Sequence, residues 1–233
     1  MNYRKDYIPK TTACNRRPGL AMTAQTITIH NTGNPSSSAA GERAWLANGS
    51  NTRQASFHIV IDSAEAIEAI PLNECAWHAG DGSGLRSGNR TSIGVEICES
   101  GDYAKTLDNA ATLVAGMLKE RGWGVDRLRR HYDWSGKVCP RLMYDGGKWT
   151  GWAEFKAKVD AILNVKEIDD DVKVDKANVK INGVKSKGGV LIDGTVYVPL
   201  REVADKLGAA IAWDNVSKTA SVTTIKAKAK GAK

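Results

Sequence analysis

A chain of 233 residues, 42% hydrophobic and 25% charged, has the make-up of a folded globular protein with room for one sizeable core or two modest ones. No run approaches the ~18 apolar residues of a membrane span, and Met1 to Pro9 carries basic residues with no apolar stretch behind them, so no secretory signal is expected and synthesis should end in the cytoplasm. The net charge of +7 suits a polyanionic surface as partner, but no zinc-finger, basic-helix or RNP-type motif supports a nucleic-acid reader.

After a polar N-terminal arm, Thr26 to His30 alternates, so that Ile27 and Ile29 share one face of a strand and Thr28 and His30 the other. Asn31-Thr32-Gly33 then turns the chain, leaving His30 at a strand end, firmly held yet open to a cleft. Ser36 to Ser38 offer N-caps for a helix through Ala39, Trp45 and Leu46 that stops near Asn48-Gly49. The β-rich run Ser56 to Asp62 and the next segment through Ile67, Ile70 and Leu72 are expected to pair as neighbouring strands. From Trp77 to Asn89 the glycines Gly80, Gly82, Gly84 and Gly88 mark a loop that should line the cleft.

In Thr91 to Cys98, period two sets Ile93, Val95 and Ile97 on one face and Glu96 on the other. A carboxylate in so apolar a strand needs a partner or a task, unless it is an edge-strand residue facing solvent. Thr106 reads as the N-cap of a helix over Leu107 to Arg121, with a core stripe of Ala110, Leu113, Val114, Met117 and Leu118 and a stop at Gly122. A last helix spans about Trp152 to Leu163. Together these predict an α/β domain over residues 1–164, a mixed central sheet flanked by helices.

His131 to Pro140 is the stretch richest in chemistry. It brings an imidazole and a thiol together across a Gly-containing loop, with Lys137 just before the sulfur of Cys139. Zn²⁺ accepts nitrogen and sulfur ligands of this kind, and a catalytic zinc takes three protein ligands and keeps one position open. His30 is the best candidate for the third ligand among the four histidines. Taken alone, the pair is a weak signal, more simply read as a surface histidine beside a buried structural cysteine. Cys14, Cys75 and Cys98 form no C-x-x-C pattern and read as small hydrophobes.

The acidic segment 165–176 reads as a linker, and the chain beyond it has a different character. Asn182-Gly183 and Asp193-Gly194 are hairpin signals, a short helix runs from Arg201 to Leu207, and strands are expected around Ile211 to Trp213 and Ala220 to Thr223. Residues 177–225 thus predict a small α+β module, and 226–233 a solvated basic tail.

The motifs His30-Asn31-Thr32-Gly33, Ser56-Phe57-His58, Ala76-Trp77-His78-Ala79-Gly80, Ser92 to Glu96 and His131 to Pro140, in this order, resemble the type 2 zinc N-acetylmuramoyl-L-alanine amidases. That fold is shared with phage lysis amidases and peptidoglycan recognition proteins. The resemblance covers roughly residues 20–164. It implies zinc held by His30, His131 and Cys139, Glu96 handling the attacking water, and Lys137 beside the developing oxyanion. It further implies a peptidoglycan substrate, with His58, Trp77 and His78 as cleft groups that bind it or support the site. Where some members carry a tyrosine before the second motif's histidine, this chain has Phe57, which offers no phenol.

With no signal segment, the resemblance implies a phage or prophage endolysin that acts on the wall after release. The alternatives are a binding-only recognition protein and a cytoplasmic amidase recycling muropeptides. Retention of Cys139 and Glu96 speaks for the enzyme, and a separate C-terminal module speaks against recycling of small soluble substrates. That module resembles the copper amine oxidase N-terminal domain, but residues 165–233 hold no histidine or cysteine for a copper of the usual type. In such company it implies attachment to the wall, with anionic wall polymers as partners.

Overall fold

The computed structural model describes residues 1–164, 175–186, 188–215 and 217–224, and the chain divides into two units, Met1–Val165 and Lys166–Lys233. The first is built on strands β1 (Asn2–Lys5), β2 (Thr26–Asn31), β3 (Ile59–Ile61), β4 (Glu65–Glu68), β5 (Ser92–Ile97) and β6 (Leu128–Arg130). They form one mixed sheet in the order β1-β4-β3-β5-β2-β6. The pairs β2/β5, β2/β6, β3/β5 and β1/β4 are parallel, and β3 and β4 form the expected antiparallel neighbours.

Five helices accompany this sheet: α1 (Ala39–Ala47), α2 (Gly88–Thr91), α3 (Tyr103–Glu120), α4 (Tyr132–Ser135) and α5 (Thr150–Leu163). The alternation seen in the sequence sorts the two faces. Ile27, Ile29, Ile93, Val95 and Ile97 point to one side, where they pack with Ala110, Val114 and Leu118 of α3 and Phe155 and Val159 of α5. On the other side Val60 and Ile67 pack with Ala39 and Leu46 of α1. Each fully buried aliphatic side chain contributes about 1.5–3 kcal/mol of transfer free energy, so these two layers hold the sheet rigid. The even positions of β2 and β5 near the strand ends are thereby free to carry chemistry.

Four expectations need correction. The start of the polar N-terminal arm, Asn2–Lys5, is an edge strand in parallel register with β4, where Arg4 also pairs with Glu65 at 2.8 Å and the hydroxyls of Tyr3 and Tyr7 both donate to Glu68. The helix α3 begins at Tyr103 rather than Leu107: the Asp102 carboxylate caps it by accepting from the Lys105 amide at 3.0 Å, while Thr106 is turned inward. A charged cap at the positive end of a helix outcompetes a neutral one a turn later. Cys14 is exposed rather than packed, unlike Cys75 and Cys98. Finally, Asp175–Lys176, placed in the linker by sequence, is a strand; the rest of that linker and the basic tail lie outside the described residues.

The second unit consists of β7 (Asp175–Lys176), β8 (Lys180–Ile181), β9 (Val184–Lys185), β10 (Val190–Ile192), β11 (Thr195–Tyr197), α6 (Leu200–Leu207), β12 (Ala209–Asp214) and β13 (Thr219–Thr224). Both Asn-Gly and Asp-Gly turns close hairpins, β8/β9 and β10/β11, with positive φ at Asn182, Gly183, Asp193 and Gly194 as a type I′ turn requires.

Candidate metal centre and active site

The sheet converges on one place. His30 near the end of β2, Glu96 near the end of β5 and His131 directly after β6 all lie at the carboxyl ends of three adjacent parallel strands. This is where open α/β sheets commonly bind ligands. Register sets the first pair side by side, since His30 lies opposite Glu96. From His131 the chain makes the single turn of α4 and reverses at Gly136, whose φ of 74° suits glycine. It then returns so that the Cys139 carbonyl accepts from the Tyr132 amide at 3.1 Å. Trp134 pins this loop to the sheet, donating from Nε1 to Thr28 Oγ1 at 2.8 Å.

The donor atoms of His30, His131 and Cys139 all lie within 4.8 Å of one another, and all three residues are buried. His30 Nδ1 is 3.1 Å from His131 Nδ1 and 3.6 Å from Cys139 Sγ. For a tetrahedral ion with Zn–N near 2.05 Å and Zn–S near 2.3 Å, ligand-to-ligand edges come to about 3.3 Å for N···N and about 3.6 Å for N···S. The donor set therefore fits zinc in its chemistry, and the two edges from His30 fit it in spacing. Burial holds His30 well below the usual imidazole range and His131 down to about 4, so both are neutral and ready to bind a cation near neutral pH. Burial likewise pushes the Cys139 thiol up to about 12.

Around these atoms opens a cleft of about 620 Å³ lined by Glu96, Lys137, Trp77 and His78, with Glu42 and Arg53 on its walls. Glu96 Oε1 lies 3.9 Å from His30 Nδ1, and Glu96 Oε2 is buried with no hydrogen-bond partner among the described residues. Desolvation raises this carboxyl to about 8, opposed by the charge of Lys137. A second hollow of about 370 Å³ shares Trp77, Gln54 and Gly80 with the cleft and continues along Gly82, Ser83 and Asn89. The glycine-rich loop thus forms a wall of the groove.

His58 does not reach the cleft. It is fully buried, its Nδ1 accepts from the Gly94 amide at 2.9 Å, and its Nε2 meets the Glu74 carbonyl at 2.8 Å, so both nitrogens are used in the fold. A side chain so enclosed cannot touch substrate, which corrects the expectation of a binding role. Trp77 is half-buried and donates from Nε1 to the Asn15 carbonyl at 2.8 Å, leaving its ring on the cleft wall. Phe57 also lines the cleft, in the place where a phenol would otherwise stand.

Two residues have structural roles that the motifs do not announce, Asn31 ending β2 rather than opening a turn. Asn31 accepts from the Leu142 amide at 3.0 Å and donates to Tyr103 at 3.1 Å, tying the segment after Cys139 to β2 and α3. Asn89 accepts from the amides of His78 and Ala79 at 2.6 and 2.7 Å and donates to the Gly82 carbonyl at 2.8 Å. An asparagine among glycines does not announce such a clamp.

Residues 20–142 match the family model of N-acetylmuramoyl-L-alanine amidase, and residues 173–231 match that of the copper amine oxidase N-terminal domain. The chain is 47% identical over 148 residues to N-acetylmuramoyl-L-alanine amidase XlyB of Bacillus subtilis, covering 62% of this chain and 44% of that relative. It is 43% identical over 162 residues to CwlA of the same organism, covering 68% and 56%. The chain thus spans about half the length of the curated relatives it matches. Among solved structures, the catalytic domain of XlyA superposes with a TM-score of 0.61 at 41% identity, covering 68% of this chain and 99% of that one. Half of the chain matches the family model, over the same residues that build the His-His-Cys cleft, and the chain belongs to the N-acetylmuramoyl-L-alanine amidase family.

Proposed function

We propose that this protein is a zinc-dependent hydrolase of peptidoglycan that cuts the amide between the lactyl group of N-acetylmuramic acid and L-alanine, as a phage or prophage endolysin. The observation that carries the reading is the trio His30, His131 and Cys139, whose donor atoms gather within 4.8 Å, with the two edges from His30 near those of a zinc tetrahedron, in a cleft where Glu96 Oε2 is buried with no hydrogen-bond partner among the described residues. The names of the matched amidases, and of an endolysin among the related structures, support the bond and the setting.

His30 Nδ1, His131 Nδ1 and Cys139 Sγ would hold the ion, leaving the cleft side open. Zinc bound there supplies the Lewis acidity that makes water a nucleophile at neutral pH and polarises the scissile carbonyl. Glu96, beside His30 and facing the cleft, takes the proton of the attacking water and returns it to the departing amine of L-alanine. Its Oε2 makes no hydrogen bond among the described residues, and the charge of a bound dication would favour the ionised form that burial alone disfavours. Lys137, exposed on the same rim, places a cation where negative charge develops on the carbonyl oxygen. No side chain has to become covalently attached to substrate. Trp77 and His78 line the groove in which glycan and peptide lie.

The second unit is the proposed wall-attachment module, with anionic wall polymers as its partners. Among the described residues no helix is long and apolar enough to cross a membrane. Digestion of purified walls tests the reading: new free L-alanine amino termini with intact glycan strands are expected, and new reducing sugars without new amines would overturn it.

A further inference from the structure

The hydrogen bonds behind the metal-facing atoms fix which nitrogen of each histidine carries its proton. His78 Nε2 lies 3.0 Å from the Ser92 carbonyl oxygen, which can only accept, so Nε2 of His78 is the protonated nitrogen. The ring is enclosed, 6% exposed, with no carboxylate among the described residues against it to hold a second proton, so its Nδ1 is a lone pair. That lone pair faces His30 Nε2 at 3.1 Å, which must then be the donor. A neutral His30 protonated at Nε2 presents a bare Nδ1 to His131 and Cys139. His131 turns its Nε2 towards the backbone of Ala79 and Gly80, which places its proton on that side and leaves its Nδ1 bare too. Two lone pairs then face each other at 3.1 Å, an arrangement that repels unless a cation lies between them.

We infer that His78 is a positioning residue for the metal centre: it locks His30 in the Nε2–H tautomer, and with the adjoining Ala79 carbonyl it forms one backing segment that aims both imidazoles at the ion. This rests on the zinc reading above and assigns His78 a task other than touching substrate. The segment is built for it. Asn89 grips the amides of both His78 and Ala79. Gly94 on β5 provides the slot for the ring, since a Cβ there would stand 2.7 Å from His78 Cγ. Partners of this kind set ligand orientation and basicity, and their loss commonly costs about 10–100-fold in metal affinity.

The test has two readouts that do not depend on turnover. In the metal-free protein, long-range ¹⁵N–¹H correlation spectra should show His30 and His78 as Nε2–H tautomers, and His30 protonated at Nδ1 would overturn the inference. Zinc affinity, measured by competition with a chromophoric chelator, should fall about 10–100-fold in His78→Phe and largely recover in His78→Asn, whose amide oxygen can still accept from His30. Wild-type affinity in a folded His78→Phe would also overturn it. Absence of zinc binding by the wild type would sink the zinc reading instead, while the tautomer of His30 would still decide the role of His78.

Discussion

The two units of this chain solve the problem of staying folded in opposite ways. In the first, isoleucines and valines of a six-stranded sheet are fully buried between helices. In the second, only Ser186 and Ala204 are buried among the described residues, while Tyr197 is 54% and Trp213 58% exposed. Two of its strand pairs, β8/β9 and β10/β11, are short hairpins closed by Asn-Gly and Asp-Gly turns, so local turn chemistry carries more of this unit than of the first. Chemistry that needs atoms held to a fraction of an ångström belongs on the first kind of scaffold. A surface that only has to adhere can be built on the second.

If the rigid unit carries the reaction, the largest effects come from its metal ligands. Cys139→Ser should lose the one zinc per chain expected of the wild type and reduce wall digestion to background, because a hydroxyl is a poor substitute for a thiolate. Elemental analysis showing undiminished zinc would break the assignment. Glu96→Gln separates catalysis from binding: zinc and fold are retained, and turnover falls about 10²–10⁴-fold. Lys137→Ala should lower kcat about 10²-fold with little change in KM, since its contact forms with the oxyanion. An effect on KM alone would make it a ground-state binding residue.

A smaller effect tests how the rigid unit holds its polar interior. Burial depresses His58 to about 4, whereas an unfolded histidine titrates near ~6.5. As pH falls, the unfolded chain therefore gains its proton first. The stability due to a neutral His58 is whole above about pH 6.5, is lost progressively below it, and levels off near about pH 4 after about 3 kcal/mol. Urea unfolding of metal-free protein, followed by tryptophan fluorescence at several pH values, should show a flatter acid slope for His58→Leu. That variant should be less stable at neutral pH, because the Gly94 amide and the Glu74 carbonyl lose their partner. Equal slopes in the two proteins would assign the acid loss elsewhere.

The same contrast explains what could be read from the residues alone. Period-two alternation in Thr26 to His30 and Thr91 to Cys98 revealed both strands and which side chains face away from the core, while the register that sets His30 opposite Glu96 could not be read from either strand alone. The chemistry of imidazole, ammonium and thiol singled out His131, Lys137 and Cys139, which line one cleft with the other two. Hairpin turns of the second unit were equally plain, because a turn signal is complete within a few residues. The features that stayed hidden depend on partners far along the chain. The N-terminal strand is defined by Glu65 and Glu68, the backing of His30 by a histidine and a strand carbonyl, and the clamp on that backing by Asn89. A polar residue's hydrogen-bond partner leaves no periodicity to detect.

The smallest effect on the reaction itself is expected from removing the second unit. The proposed reacting groups all lie before Pro140, and 68% of this chain is enough to cover 99% of the solved XlyA catalytic domain. A chain ending at Asn164 should therefore hydrolyse small soluble muropeptides at close to the full-length rate. On intact walls the comparison should reverse. Holding the first unit near an insoluble substrate raises its effective concentration there, so the shortened chain should bind and lyse walls less well. Salt then separates two sources of adhesion. Attraction between lysines and anionic wall polymers is screened beyond ~8 Å at physiological ionic strength, and a difference that shrinks with added salt would locate the attachment in charge. A difference that persists would locate it in apolar contact through exposed rings such as Tyr197 and Trp213. Equal wall binding by both chains at every salt concentration would remove the attachment role and leave the second unit as a spacer.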